Sequence, residues 1–174
     1  MTNSYPDALN LSRRALSALI AINLVIGVLI LFMLIGSLVA ETWMMTALGA
    51  AHPGSAPTLF LGMRLIMVIG IAAVPLAHVV LTRLLAIVET VRLGDPFVAE
   101  NAARLQMIAW MVLGMELLHG AVGAIARAVS TAAHPLDIDW EFSVTRWLAV
   151  LLLFVLARVF EHGTRMRGVL QATV

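Results

Sequence analysis

Between Ala15 and Ala40 the chain carries no charged side chain. About 20 consecutive apolar residues cross a bilayer as a helix, so a run of this length spans one even when tilted. Arg13 and Arg14 precede it, as basic residues precede a secretory signal, but the apolar core of such a signal is only about 7–15 residues. Asn23 is the one strongly polar side chain inside the run, and Gly27 and Gly36 permit close helix contact.

Three more apolar stretches follow. The second spans residues 59–86 and contains Arg64, Pro75 and His78; Pro75 removes a backbone hydrogen bond and is expected to kink the helix. The third helix is expected from Pro96 to Val129, its apolar part being 105–129 with Glu116 and His119 inside it. The fourth covers 144–162, with Arg146 and Trp147 at its start, Arg158 and Glu161 near its end, and a basic tail read as a helical extension. Met63, Met67 and Met115 read as packing residues. Only 12% of the 174 residues are charged, against roughly 25% in soluble domains, and 61% are hydrophobic, more than a water-soluble core of this size can hide. The expected medium is therefore lipid.

The most patterned stretch is Arg83–Arg104. Gly94 can take the left-handed conformation that ends a helix, Asp95 can cap the next one, and Pro96 suits its first position. The fold expected is all-α: a single domain over residues 1–174, an integral membrane four-helix bundle whose helices 2 and 3 extend into a cytoplasmic helical hairpin spanning 83–104. At ~1.5 Å per residue the two legs are on the order of 50 Å long, whereas the hydrocarbon core is about 30 Å thick. Two outer loops complete the pattern. Residues 41–57 carry Pro53, Gly54, Ser55 and Pro57. Residues 130–143 carry Asp137-Ile138-Asp139-Trp140-Glu141-Phe142, read as an interfacial loop with its aromatic residues at the headgroups.

Orientation follows from arginine. Arg13, Arg14, Arg83, Arg92, Arg104, Arg158, Arg165 and Arg167 fall on one side, and Arg64, Arg127 and Arg146 on the other. The positive-inside rule then puts both termini and the Gly94 turn in the cytoplasm. All the positive charge is arginine, which fits a high-GC bacterium, so the expected location is a bacterial inner membrane. A net charge of +1 gives no reason to expect a nucleic-acid partner, and the absence of cysteine excludes disulfides and thiolate metal sites.

The stretch GDPFVAENAARLQMIAW and the C-terminal LARVFEHGTRMRGVLQATV resemble the bacterial membrane family catalogued as domain of unknown function 2975. The resemblance covers nearly the whole chain. It is carried by Gly94, Pro96, Phe97, Glu100 and Asn101, and then by Phe160, Gly163 and Thr173-Val174, with Met166 where the family pattern has leucine. It implies a four-helix membrane protein with no assigned activity, and it hints at signalling because some members are encoded beside small helix-turn-helix regulators.

Three groups of residues are candidates for chemistry. Glu116 and His119, at i and i+3, have the ligand spacing of di-iron bundles, and His78 is expected at a similar depth. With Asn23 these are the intramembrane polar residues; they read as a helix-to-helix bond, a proton or ligand relay, or the candidate metal ligands. The second group is an inner charge network of Arg83, Glu89, Arg92, Asp95, Glu100, Asn101, Arg104, Arg158 and Glu161, in which Glu100 is expected near Arg92, Glu89 near Arg104, and Arg158 near Glu100 or Glu161. It reads as a lock on the hairpin, or as a docking surface for a protein or an anionic lipid headgroup. The third is the outer set His52, His134, Asp137, Asp139 and Glu141, read as a solvated loop or a cation site. No nucleotide loop, hydrolase elbow or metalloprotease helix appears. The expected function is a non-enzymatic regulatory or interaction subunit with no cofactor, whose partners are the bilayer and either a cytoplasmic protein or a second copy of itself. The alternatives are a proton- or metal-coupled carrier or channel centred on Glu116, His119 and His78, and an immunity-type membrane protein.

Overall fold

Long helices account for nearly all of the described chain: α1 (Ser4–Val39), α2 (Pro57–Arg92), α3 (Ala99–Val129) and α4 (Val144–Gln171). The computed structural model describes residues 4–39, 57–94, 98–130 and 143–171, with side chains for 10–39, 60–94, 98–130 and 143–166. Each helix falls where an apolar stretch predicts one. α1 starts earlier than its apolar run, at Ser4, because the polar residues before Arg13 contain no breaker and Pro6 falls in the first turn, where its missing N–H is not needed. α2 opens on Pro57 and continues through Pro75. α4 carries the basic tail on as helix to Gln171.

Among the described residues, Asn10–Val39, Phe60–Arg92 and Ala99–Val129 are long and apolar enough to cross a membrane. Their surfaces agree with that. Phe32, Val28 and Leu38 on α1, and Leu61 and Val68 on α2, are all exposed. Leaving one such side chain in water forfeits about 1.5–3 kcal/mol. Repeated along whole helices, that sum exceeds the net stability of about 5–15 kcal/mol typical of a folded domain. The chain is a membrane protein.

Two compact units divide the chain. One comprises Met1–Asn23, Leu76–Glu116 and Ser143–Val174. Within it α2 and α3 run antiparallel, since Thr90 meets Asn101, Ala86 meets Arg104 and a Cβ on Gly114 would touch Leu76. α3 and α4 are antiparallel as well: Trp110 meets Phe154 edge-on with ring centroids 5.2 Å apart, and Glu116 meets Arg146. In this unit the buried positions of α3, Asn101, Ala102, Leu105, Ile108 and Ala109, form a single stripe at helical spacing; among the described residues of α4, Val150 and Ala157 are buried and apolar.

The other unit comprises Leu24–Pro75 and Leu117–Phe142. Here small residues bring α1 and α2 together, a Cβ on Gly27 lying 3.0 Å from Val74 and one on Gly70 lying 3.5 Å from Ile30. Arg64 reaches across from α2 to the end of α1, donating from Nη2 to the carbonyl of Ser37 at 2.5 Å and from Nε to its hydroxyl at 3.3 Å. That carbonyl belongs to the last turn of α1, where no N–H of the helix is left to bond it. An arginine within an apolar span thus serves as a C-terminal cap supplied by a neighbour, and its charge suits the negative end of the helix dipole.

Close approach makes a measurable difference at two glycines. A Cβ on Gly62 would lie 2.7 Å from both methyl carbons of Val129, a β-branched residue with little rotamer freedom. A Cβ on Gly114 would meet only the tip of Leu76, at 2.8 Å, and leucine can turn away. Gly62→Ala is expected to lower stability by about 1–3 kcal/mol and Gly114→Ala by clearly less. Adding Val129→Ala should recover part of the Gly62→Ala loss. Thermal unfolding in detergent of these three variants and the unsubstituted chain checks this ranking, and equal losses at both glycines would contradict it.

Candidate functional site

Gly94 sets the corner between α2 and α3. Its φ of +83° is the left-handed conformation that glycine adopts without strain. The amide of Leu93 donates to the Glu89 carbonyl and that of Gly94 to the Val91 carbonyl, closing the last turn of α2. Asp95, Pro96 and Phe97, expected to start the next helix, lie outside the described residues; α3 is helical from Ala99. Also outside them lie His52, His134, Asp137, Asp139 and Glu141.

The corner folds Asn101 onto Thr90. Asn101 is fully buried. Its Nδ2 donates to the Thr90 hydroxyl at 2.7 Å, and that hydroxyl donates in turn to the Ile87 carbonyl at 2.7 Å. Its Oδ1 accepts from Arg104 Nη1 at 2.7 Å, and the same Nη1 donates to the Ala86 carbonyl at 3.3 Å. The result is one chain of hydrogen bonds that crosses between α2 and α3 twice. Each link polarises the next, and in so poorly solvated a place the alternative to bonding is an unsatisfied buried group.

This arrangement corrects the expected ion pairs. Arg92 bonds Glu89 on its own helix at 3.2 Å, rather than Glu100. Arg104 is taken up by Asn101 and Ala86, rather than by Glu89. The reason is helical phase: at about 100° per residue, Asn101 and Arg104 share the face turned to α2, whereas Glu100 points outward. Thr90, absent from the expected network, is essential to it. The signal was available, because folding the chain about Asp95-Pro96 sets positions 90 and 101 opposite each other.

Around this buried chain lies an exposed rim. Arg83, Val91, Arg92, Leu93 and Glu100 are exposed, Leu93 to 79%. On α4, Glu161 bonds Arg158 at 3.0 Å and Arg165 at 2.6 Å, so Arg158 takes the Glu161 partner foreseen for it.

Glu116 approaches Arg146 at 3.9 Å, both on the unit that holds the corner. This loose ion pair replaces the expected partnership of Glu116 with His78. Nδ1 of His78 and Nε2 of His119 are buried without a hydrogen-bond partner. Among the described residues no group of three or more His, Cys, Asp or Glu side chains is placed to hold a metal ion. Asn23 is half-buried on α1 and partnered. No family model, curated protein or solved structure matches the chain.

Asn101→Leu keeps volume but leaves Thr90 and Arg104 short of a partner, and is expected to cost about 1–3 kcal/mol. Thr90→Val should cost less, because Arg104 keeps its bond to Asn101. The double variant should fall short of the sum by about 0.5–3 kcal/mol, as for residues of one network. Denaturant unfolding in detergent measures the cycle; strict additivity would show that the two side chains do not act together.

Proposed function

We propose that the chain is a small non-enzymatic subunit of a bacterial inner membrane, acting on a partner through a cytoplasmic hairpin formed by α2 and α3. On this reading all four helices cross the bilayer as a bundle and both termini are cytoplasmic. α4 supports its share of that reading: Leu148, Leu151, Leu152, Val155 and Val159 recur at helical spacing and all are exposed, which suits a face against lipid. The resemblance to the family of unknown function 2975 points the same way through the turn residues Gly94, Pro96, Phe97, Glu100 and Asn101.

The observation that carries the proposal is the contrast at the corner. A fully satisfied buried network fixes the register of the two helices, while Val91, Arg92, Leu93 and Glu100 stand exposed around it. Apolar and charged side chains presented together on a rigid element are the raw material of a protein contact. Energy spent on ordering such a surface during binding is small, because it is already ordered.

A chain without cysteine allows a clean topological test. Leu93→Cys should react with a membrane-impermeant maleimide only after the cells are opened; labelling of intact cells would refute the cytoplasmic hairpin. A photocrosslinking residue at position 93 should then form an adduct with one protein. The adduct should weaken about tenfold or more when Arg92→Glu and Glu100→Arg are combined, with thermal stability unchanged, because exposed charges contribute only about 0–1 kcal/mol to folding. Persistence of the same adduct after charge reversal would refute docking through this rim.

A second reading, a proton-coupled carrier or channel, draws on the unbonded ring nitrogens of His78 and His119 and on Glu116. Buried ionisable groups in a membrane helix are a functional hypothesis by default. On that reading Glu116→Gln abolishes a proton flux in proteoliposomes while the protein still accumulates. A flux that survives the substitution would remove it.

A further inference from the structure

A groove of about 490 Å³ runs between the first half of α3 and the second half of α4. Its walls change character along its length. At one end Arg158 and Arg165 flank Glu161; further in lie Ala103 and Gln106, and at the other end Trp110 packs edge-on against Phe154. The volume falls within the about 300–1,000 Å³ of small-molecule sites. From Ala99 to Trp110 the rise is about 16 Å at ~1.5 Å per residue. On the reading above, its Ala99 end belongs to the cytoplasmic part of α3 and its Trp110 end to the apolar part that begins at 105, so the groove crosses the headgroup level.

We propose that this groove is a binding site for an anionic phospholipid, with its phosphate held by Arg158 and Arg165 and one acyl chain lying along Ala157, Phe154 and Trp110. The charge balance favours an anion. Two guanidiniums share a single carboxylate, and each presents five N–H donors, of which Glu161 takes few. Both arginine side chains are open to the surroundings, 73% and 72% exposed, so their remaining donors are free to fork around a phosphate. Glu161 holds the two heads on either side of itself at the mouth of the groove, so less side-chain freedom is lost on binding. The apolar end suits the tail: Trp110 is 53% exposed and Ala157 is buried, leaving a shallow channel with an aromatic wall. A soluble phosphate would use the arginines and leave that wall bare, whereas a lipid uses both ends.

The proposal needs lipid around α4 but not the docking role of the α2–α3 corner. Its test is quenching of Trp110 fluorescence in vesicles, in the full chain carrying Trp43→Phe, Trp140→Phe and Trp147→Phe. Phosphatidylglycerol or phosphatidylcholine with brominated acyl chains is added at equal low mole fraction to a phosphatidylcholine bilayer. The anionic lipid should quench as though enriched about fivefold, on the order of what one net cation gains beside an anionic headgroup. Arg158→Gln with Arg165→Gln should reduce its quenching to the phosphatidylcholine level, while Arg13→Gln with Arg14→Gln should leave the preference intact. Equal quenching by the two lipids in the unsubstituted background would overturn the site while leaving the membrane assignment standing. No quenching by either would overturn both.

Discussion

Pressing one apolar helix onto another yields no hydrophobic gain when lipid is the alternative neighbour. That constraint organises this chain. Its leucines and valines face outward on α1 and α4, and few large apolar side chains are buried. Helices are therefore held together by what lipid cannot provide. One such force is backbone proximity, available where a glycine or alanine removes bulk: Gly62 under Val129, Gly114 under Leu76, and Ala102, Ala109 and Ala157 in the interior of one unit. The other is hydrogen bonding between groups that lipid leaves unsatisfied.

Arginine does much of the second task. Arg64 bonds a terminal carbonyl of α1, Arg104 bonds a carbonyl of α2 and the amide of Asn101, and Arg146 approaches Glu116. A long side chain with five fixed donors can reach from one helix to the backbone of the next without a partner acid. This explains how arginines inside or beside apolar spans are accommodated without an acidic residue opposite each. Counting charges as future ion pairs misjudges such a protein, because a carbonyl is as available to a guanidinium as a carboxylate.

The helices and the Gly94 corner were legible because they depend on local chemistry: apolar runs set the helices, and a glycine followed by Asp-Pro sets the stop. The partners were less legible because they depend on rotation about each helix axis. A shift of one residue turns a side chain by about 100°, enough to send Glu100 outward and Asn101 inward. The sequence marks Asn101 as part of the corner; Thr90 stands out less, because a threonine in a helix is ordinarily content with its own backbone. It does bond the Ile87 carbonyl, and its spare lone pair is what Asn101 uses. Depth along the sequence pairs Glu116 with His78, but it leaves out the fourth helix, whose first turn brings Arg146 alongside.

Stability at the corner and the surface the corner presents fall to different residues. The buried chain from Arg104 through Asn101 to Thr90 holds α2 against α3, and breaking it leaves groups with no water to turn to. The pairs on the rim, Arg92 with Glu89 and Arg158 and Arg165 with Glu161, are exposed and contribute about 0–1 kcal/mol each. Little in the fold requires them, so their place at an ordered edge is better explained by what they face. Each of these arginines keeps donors its acid does not consume, and each sits beside exposed apolar surface: Leu93 next to Arg92, Trp110 and Phe154 further along the groove from Arg158. A ligand with an anionic head and an apolar body matches such a pairing better than a small ion does, whether it arrives as a lipid in the groove or as a protein segment at the corner.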